Sequence, residues 1–224
     1  MQQIKVSVDA VVFGYFEKSS LHLLLIRRNI EPFKNQWAIP GGLVQEDEDI
    51  DTAALRELEE EAGIRPGYLE QLYTFGQVQR DPRGRVVSVA YYGLVNPSYH
   101  KLKADTDAAD ARWFSIDKLP ILAFDHQHIV EQALNRLRSK IKYAPVGFNL
   151  LHDEFSFSDL EDLYQTIIGQ PIDRRNFRKK ILSFGLLEQT PRFRKEGSGR
   201  PGRLYTFNQQ KYQELTDKGF FFEI

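Results

Sequence analysis

The chain has 224 residues, a formal net charge of −1 and no cysteine, a length that suits one large domain or a medium domain joined to a small one. No apolar run approaches the roughly 18 residues a membrane span requires, and without thiols neither a disulfide nor a thiolate metal site can form. Met1, Gln2 and Gln3 lead into a strand-like alternation rather than a signal peptide, so a cytoplasmic protein with no membrane partner is expected.

Residues 4–13 alternate and are rich in valine, and residues 21–26 form an apolar run, which predicts two strands joined by a turn over 14–20. Residues 37–42 read as a short strand ended by Pro40, Gly41 and Gly42. A helix is predicted over 49–62. Ile50, Ala54, Leu58 and Ala62 give it an apolar stripe, and Gly63 stops it. Residues 86–94 and 112–115 read as further strands, and 126–141 as a helix with Ile129, Val130, Ala133, Leu134, Leu137 and Ile141 at helical intervals.

The helix over 49–62 carries the first chemistry. Glu60 and Glu61 lie three and four residues beyond Glu57, so three carboxylates crowd one side. Unpaired, that crowding is unfavourable, whereas magnesium, which takes a few carboxylates plus waters and phosphate oxygens, turns it to advantage. Taken alone, the three glutamates also fit a solvated helix face. Arg56 is placed to pair with Glu48 or Glu57, and Gly41 and Gly42 let backbone approach metal or phosphate closely. The whole pattern is Gly42, five residues, Glu48, seven residues, then Arg56-Glu57-Leu58-Glu59-Glu60-Glu61-Ala62-Gly63-Ile64. It resembles the signature box of the Nudix hydrolases at every position. The resemblance implies an α/β/α sandwich around a mixed sheet, with Glu57, Glu60 and Glu61 as magnesium ligands and Glu48 and Arg56 in the catalytic set.

A second segment, Tyr73-Thr74-Phe75-Gly76 followed by Arg80-Asp81-Pro82-Arg83-Gly84-Arg85, is similar to the corresponding stretch of ADP-ribose pyrophosphatase-type Nudix proteins. Arg80, Arg83 and Arg85 are expected to meet diphosphate or ribose oxygens, and the aromatics to stack on a base. A charged hairpin turn is the alternative for each arginine. Hydrolysis needs a base outside the box, for which Asp105, Asp107 and Asp110, in the loop before Arg112, are the candidates, with Asp107 preferred.

The texture changes near Tyr143-Ala144-Pro145, which divides the chain into residues 1–142 and 143–224. Ser158-Asp159-Leu160-Glu161 matches a capping box opening a helix to about residue 168, and residues 169–172 form a turn. Asp173 then caps a helix over 174–184 that buries Phe177, Ile181 and Phe184. Residues 186–189 and 203–207 are predicted to flank a Gly-, Pro- and Arg-rich loop as a hairpin with a mobile tip.

Charge is concentrated here. Over 174–203 ten basic residues face two acids, a surplus of eight, so the rest of a chain totalling −1 carries −9. A helix bearing Arg174, Arg175, Asn176, Arg178 and Lys179 after a short turn is how a helix-turn-helix presents side chains to the major groove. Arg194, Lys195, Arg200 and Arg203 have the charge of a wing lying along phosphates. A solvated basic surface is the alternative reading.

Together the two parts resemble the Nudix-related transcriptional regulators, the NAD-metabolism and arabinose type. That implies an α+β protein with an N-terminal Nudix domain and a C-terminal winged helix-turn-helix. Its implied partners are double-stranded operator DNA, a nucleotide or sugar effector such as ADP-ribose, and a second copy in a homodimer. The rival is a magnesium-dependent ADP-ribose pyrophosphatase, and the intact box leaves room for a bifunctional chain.

Overall fold

The computed structural model describes residues 3–16, 20–103, 108–195 and 201–224. The chain separates into two compact units, one holding Ser20–Arg136 with the preceding strand and the other Leu137–Ile224.

In the first unit, β1 (Lys5–Tyr15), β2 (Leu21–Arg28), β3 (Trp37–Ala38), β4 (Gly41–Leu43), β5 (Tyr68–Phe75), β6 (Val86–Val95) and β7 (Ala108–Ser115) form one mixed sheet. The long parallel ladder between β1 and β6 runs from Lys5 opposite Val86 to Gly14 opposite Val95. On its other edge β1 is shared, pairing β4 at Ser7, Val8 and Asp9 and β2 at Phe13, Gly14 and Tyr15. That division brings the Gly41-Gly42 turn alongside Asp9. Helix α1 (Ile50–Ala62) is capped by Asp49, whose side chain accepts from the Thr52 amide, and ends at left-handed Gly63. Its Ala53, Ala54, Leu58 and Ala62 pack with Val8, Ala10 and Val12 in the main core cluster. Strand alternation sends Asp9, Val11 and Phe13 to the other side, where Asp9 meets His126 at the start of α2 (His126–Lys140).

The second unit contains β8 (Phe155–Ser156), α3 (Phe157–Ile168), α4 (Arg174–Ser183), β9 (Leu187–Arg194), β10 (Gly202–Phe207) and α5 (Gln209–Asp217). Its antiparallel sheet runs β8-β10-β9. Two helices joined by a short turn, then a β-hairpin, make a winged helix. Phe157, Tyr164, Phe177 and Tyr205 form its aromatic centre.

Several predicted boundaries move. The N-cap of α3 is Ser156, not Ser158, because Ser156 and Asp159 exchange the two reciprocal bonds of the capping box. Strand β9 runs on to Arg194, so Arg192 and Arg194 sit on a strand rather than in the tip loop. Asp110 likewise lies on β7, paired with Arg112, and not in a loop. The predicted strand over 37–42 is two short strands, since Gly41–Leu43 leaves β3 to pair β1. Strand β5, whose exposed residues hide any alternation, is absent from the sequence prediction.

Candidate functional site

A cleft of about 240 Å³ opens in the first unit, walled by Ser7 and Asp9 of β1, the Gly41-Gly42 turn, Glu57 and Glu61 of α1, and the 80–83 loop. Gly41 is required by close approach to backbone, and any side chain at Gly42 would displace the Glu57 carboxylate. A Cβ on Gly41 would lie 2.3 Å from the Val8 carbonyl oxygen, and one on Gly42 would lie 2.1 Å from Glu57 Oε1.

Arg56 organises the acidic side. Its Nε and Nη2 donate to Glu48 at 2.9 and 2.7 Å, and Nη1 donates to Glu57 at 2.8 Å and to Glu60 at 3.2 Å. Both expected partners of Arg56 are therefore engaged at once. The bonds from Arg56, with the Gln45 amide, overcome partial burial and hold Glu48 down at about 2. Glu57 goes the other way. Burial pushes its carboxyl above the ordinary range, repulsion from Glu60 and Glu48 adds to this, and Arg56 does not fully offset it. Glu61 accepts the Gly41 amide at 2.8 Å. The three helix carboxylates thus divide: Glu57 and Glu61 face the cleft, while Glu60 stands in solvent against Arg56. Among the described residues no three acidic or histidine side chains converge tightly enough to hold a metal as they stand: Glu57 and Glu60 share Arg56, and Glu61 is turned to the Gly41 amide. The residues nevertheless fit magnesium: a half-buried carboxylate whose burial cost is not offset, beside a second one, is what a hard cation stabilises.

On the floor of the cleft the sequence pointed to Arg80 but not to Asp9, Asp125 or His126. Arg80 is 4% exposed and makes a two-bond clasp on Asp125, Nε at 3.0 Å and Nη2 at 2.7 Å, while Nη2 also reaches Asp9 at 3.0 Å. Ser88 donates to Asp9 at 2.5 Å. The Ile39 amide donates to His126 Nδ1 at 3.1 Å, which places the proton of a neutral ring on Nε2, 3.5 Å from Asp9. Burial alone would push Asp9 up, but the facing His126 ring, the Arg80 guanidinium and the Ser88 bond outweigh it and hold the carboxyl well below its usual range. A charged residue in the middle of the valine-rich run Val6-Ser7-Val8-Asp9-Ala10-Val11 was the available signal.

The three arginines of the 80–85 segment have separate positions. Arg80 lines the cleft with most of its donors committed, and its Nη1 has no partner among the described residues. Arg83 lines it too, held by Asp81 at 2.7 Å and lying 5.6 Å over the Phe124 ring. Arg85 does not reach this cleft; it closes its own turn on the Gly76 and Gln77 carbonyls. Asp105 and Asp107 lie outside the described residues.

In the second unit, Asp173 caps α4 through the Asn176 amide, and Phe177 and Ile181 are buried. The basic residues are not equivalent. Arg174 pairs with Asp162 at 3.0 Å, Asn176 donates to Asp173 at 2.7 Å, and Arg178 lies 4.4 Å over the Phe157 ring. Arg175 and Lys179, four residues apart on one exposed face, make no ion pair or hydrogen bond among the described residues. On the hairpin, Arg194 is turned inward onto Asp159 at the start of α3, where it fixes the cap. Arg203 donates to Gln189 at 2.9 Å and stacks over Phe193, and Lys195 is exposed. Arg200 lies outside the described residues.

Comparison with known proteins divides the chain in the same way. Residues 4–134 match the NUDIX domain family, and residues 147–207 match the NrtR DNA-binding winged helix domain. The ADPR responsive transcriptional repressor NtrR of Acinetobacter baylyi is 34% identical over 211 residues, covering 92% of this chain and 83% of its own. Among solved structures, Shewanella oneidensis NrtR complexed with a 27mer DNA is 33% identical with a TM-score of 0.81, covering 93% of this chain and 95% of that one. The NUDIX domain of the same protein complexed with ADP ribose is 36% identical with a TM-score of 0.57, covering 61% of this chain and 90% of that one.

Proposed function

We propose a function that starts from kinship: the chain belongs to the NrtR family, in which a Nudix domain is followed by an NrtR winged helix. It is a transcriptional repressor that binds operator DNA through the winged helix of residues 143–224 and senses ADP-ribose in the Nudix cleft of residues 1–142. The carrying observation is that the likeness to an ADPR responsive repressor extends over 92% of the chain, both parts included.

The geometry supports the division of labour. Arg175 and Lys179, unpaired among the described residues, are offered to a duplex on a helix anchored by Phe177 and Ile181, and Lys195 and Arg203 flank the wing. Arg can read guanine O6 and N7, while lysines neutralise phosphates and make binding fall with salt. In the cleft, Arg80 and Arg83 meet the diphosphate, and Gly41 and Gly42 admit it close to backbone. Magnesium, when bound, would be held by Glu57 and Glu61, with Glu60 beside them on the same helix. It screens diphosphate charge and polarises a phosphate oxygen. A homodimer matches the two-fold symmetry of a palindromic operator. The effector acts by favouring the conformation that binds DNA less well, since a ligand shifts an equilibrium by its differential affinity.

A second reading, that the same cleft also hydrolyses ADP-ribose, is favoured by the complete box with Arg56 clasping Glu48, Glu57 and Glu60. A gel shift with DNA upstream of the neighbouring genes, with and without ADP-ribose, tests the proposal. Specific retardation relieved by the nucleotide is expected. No retardation, together with brisk magnesium-dependent release of AMP, replaces the regulator with the hydrolase.

A further inference from the structure

Strand β1 presents Ser7 and Asp9 to the same side, two residues apart, and both wall the cleft. Their situations are opposite. Asp9 is answered from three sides by Arg80, Ser88 and His126. Ser7 is 7% exposed, and its buried hydroxyl has no hydrogen-bond partner among the described residues. The sheet register explains why. Ser7 sits opposite Leu43 on β4, which is apolar, and opposite Ser88 on β6, whose hydroxyl is already given to Asp9.

Buried polar groups are almost always paired, and one left unmade costs stability. Inside a core such a hydroxyl would be a plain defect. On a cleft wall it is a donor without an acceptor. Donors are also what this wall is short of. It carries Asp9, Glu57, Glu61 and Asp81, while Arg28 is bonded to the Pro32 carbonyl, Arg80 to Asp9 and Asp125, and Arg83 to Asp81. Beyond Arg80 Nη1, which has no partner among the described residues, an anionic ligand entering here needs further donors that are not already spent.

We propose that Ser7 is a ligand-binding residue whose hydroxyl donates to an oxygen of the phosphate–ribose portion of a nucleoside-diphosphate ligand in this cleft. This assignment rests on the Nudix-cleft reading above and adds to it a residue outside the box. The hydroxyl oxygen is covered as it stands, and rotation about χ1 between staggered positions, which costs little, is what would turn it to the ligand without movement of the strand.

The experiment compares wild type, Ser7→Ala and Ser88→Ala as full chains, by titration calorimetry with ADP-ribose and by thermal unfolding without it. Ser7→Ala is expected to melt at or slightly above wild type, because it deletes an unanswered hydroxyl, and to bind ADP-ribose about 10-fold more weakly. Ser88→Ala, which removes a bond to buried Asp9, is expected to melt lower. Wild-type affinity in Ser7→Ala overturns the assignment, as does a fall in its melting temperature matching that of Ser88→Ala, which marks a structural role. If the wild-type chain itself does not bind ADP-ribose, the reading of the cleft fails and this assignment with it.

Discussion

Replacing Arg80 with methionine tests the floor of the cleft. The substitution keeps most of the volume and removes a guanidinium that is 4% exposed and makes three bonds to two carboxylates, Asp9 and Asp125. Asp9, itself 6% exposed, would be left with Ser88 and His126 alone. Breaking a buried ion pair from one side costs about 3–5 kcal/mol, because the remaining charge is buried without its partner. For a unit of this size that corresponds to a fall of about 10–20 °C in melting temperature. Trp37 and Trp113 both belong to the first unit, so tryptophan fluorescence reports its unfolding separately from the winged helix. The pH dependence has a definite sign. In wild type the Asp9 carboxyl is held down, so its contribution is present above the ordinary carboxylate range and is lost as pH falls below it. In Arg80→Met the burial of Asp9 is no longer offset by the guanidinium, and protonation relieves the strain. The deficit should therefore be full near pH 7 and narrow only as pH falls below the ordinary carboxylate range, towards about pH 3, because His126 and Ser88 still hold Asp9 down. A loss below about 1 kcal/mol, or a deficit equal at both pH values, refutes the reasoning, since the network would then carry no buried charge of consequence.

The remaining predictions concern the two surfaces. Arg175→Ala, on an exposed residue with no partner among the described residues, should weaken operator binding by about 1–3 kcal/mol in a fluorescence-anisotropy titration. ADP-ribose affinity and melting temperature should stay unmoved, and parallel loss of effector binding counts against separate surfaces. Glu61→Gln keeps an oxygen to accept the Gly41 amide but removes the charge. It should abolish any magnesium dependence of ADP-ribose binding or AMP release while the chain stays folded, and unchanged magnesium dependence shows the metal site to be elsewhere. Asp173→Ala removes the cap on the Asn176 amide and should cost about 1 kcal/mol in the second unit by chemical denaturation. No change would mean that the turn, not the cap, sets the start of α4.

Fold class and the acidic helix were legible because they are local. Periodicity located α1, Asp173 announced α4, and the spacing of Gly42, Glu48, Arg56 and Glu57 placed four elements of one site within sixteen residues of chain. What sequence could not give was tertiary. Asp9, Arg80, Asp125 and His126 are up to 117 residues apart and meet because β1 runs beside β4 and α2 begins against Ile39. The fate of each arginine was equally hidden. Arg194 and Arg175 look alike in sequence, yet Asp159 draws one inward and no described residue draws the other. The shifted cap has the same cause. Ser158 and Ser156 both precede acids at plausible spacing, and the choice fell to Ser156 because β8 ends there and Asp159 can return the bond.

The most direct measurement is reciprocal. Operator affinity is determined with and without saturating ADP-ribose, and ADP-ribose affinity with and without saturating operator, on the full chain at fixed salt. If one molecule links an effector cleft to a DNA surface, each ligand weakens the other by the same factor, about 5- to 150-fold for typical coupling. Affinities that ignore each other in both directions would contradict the account.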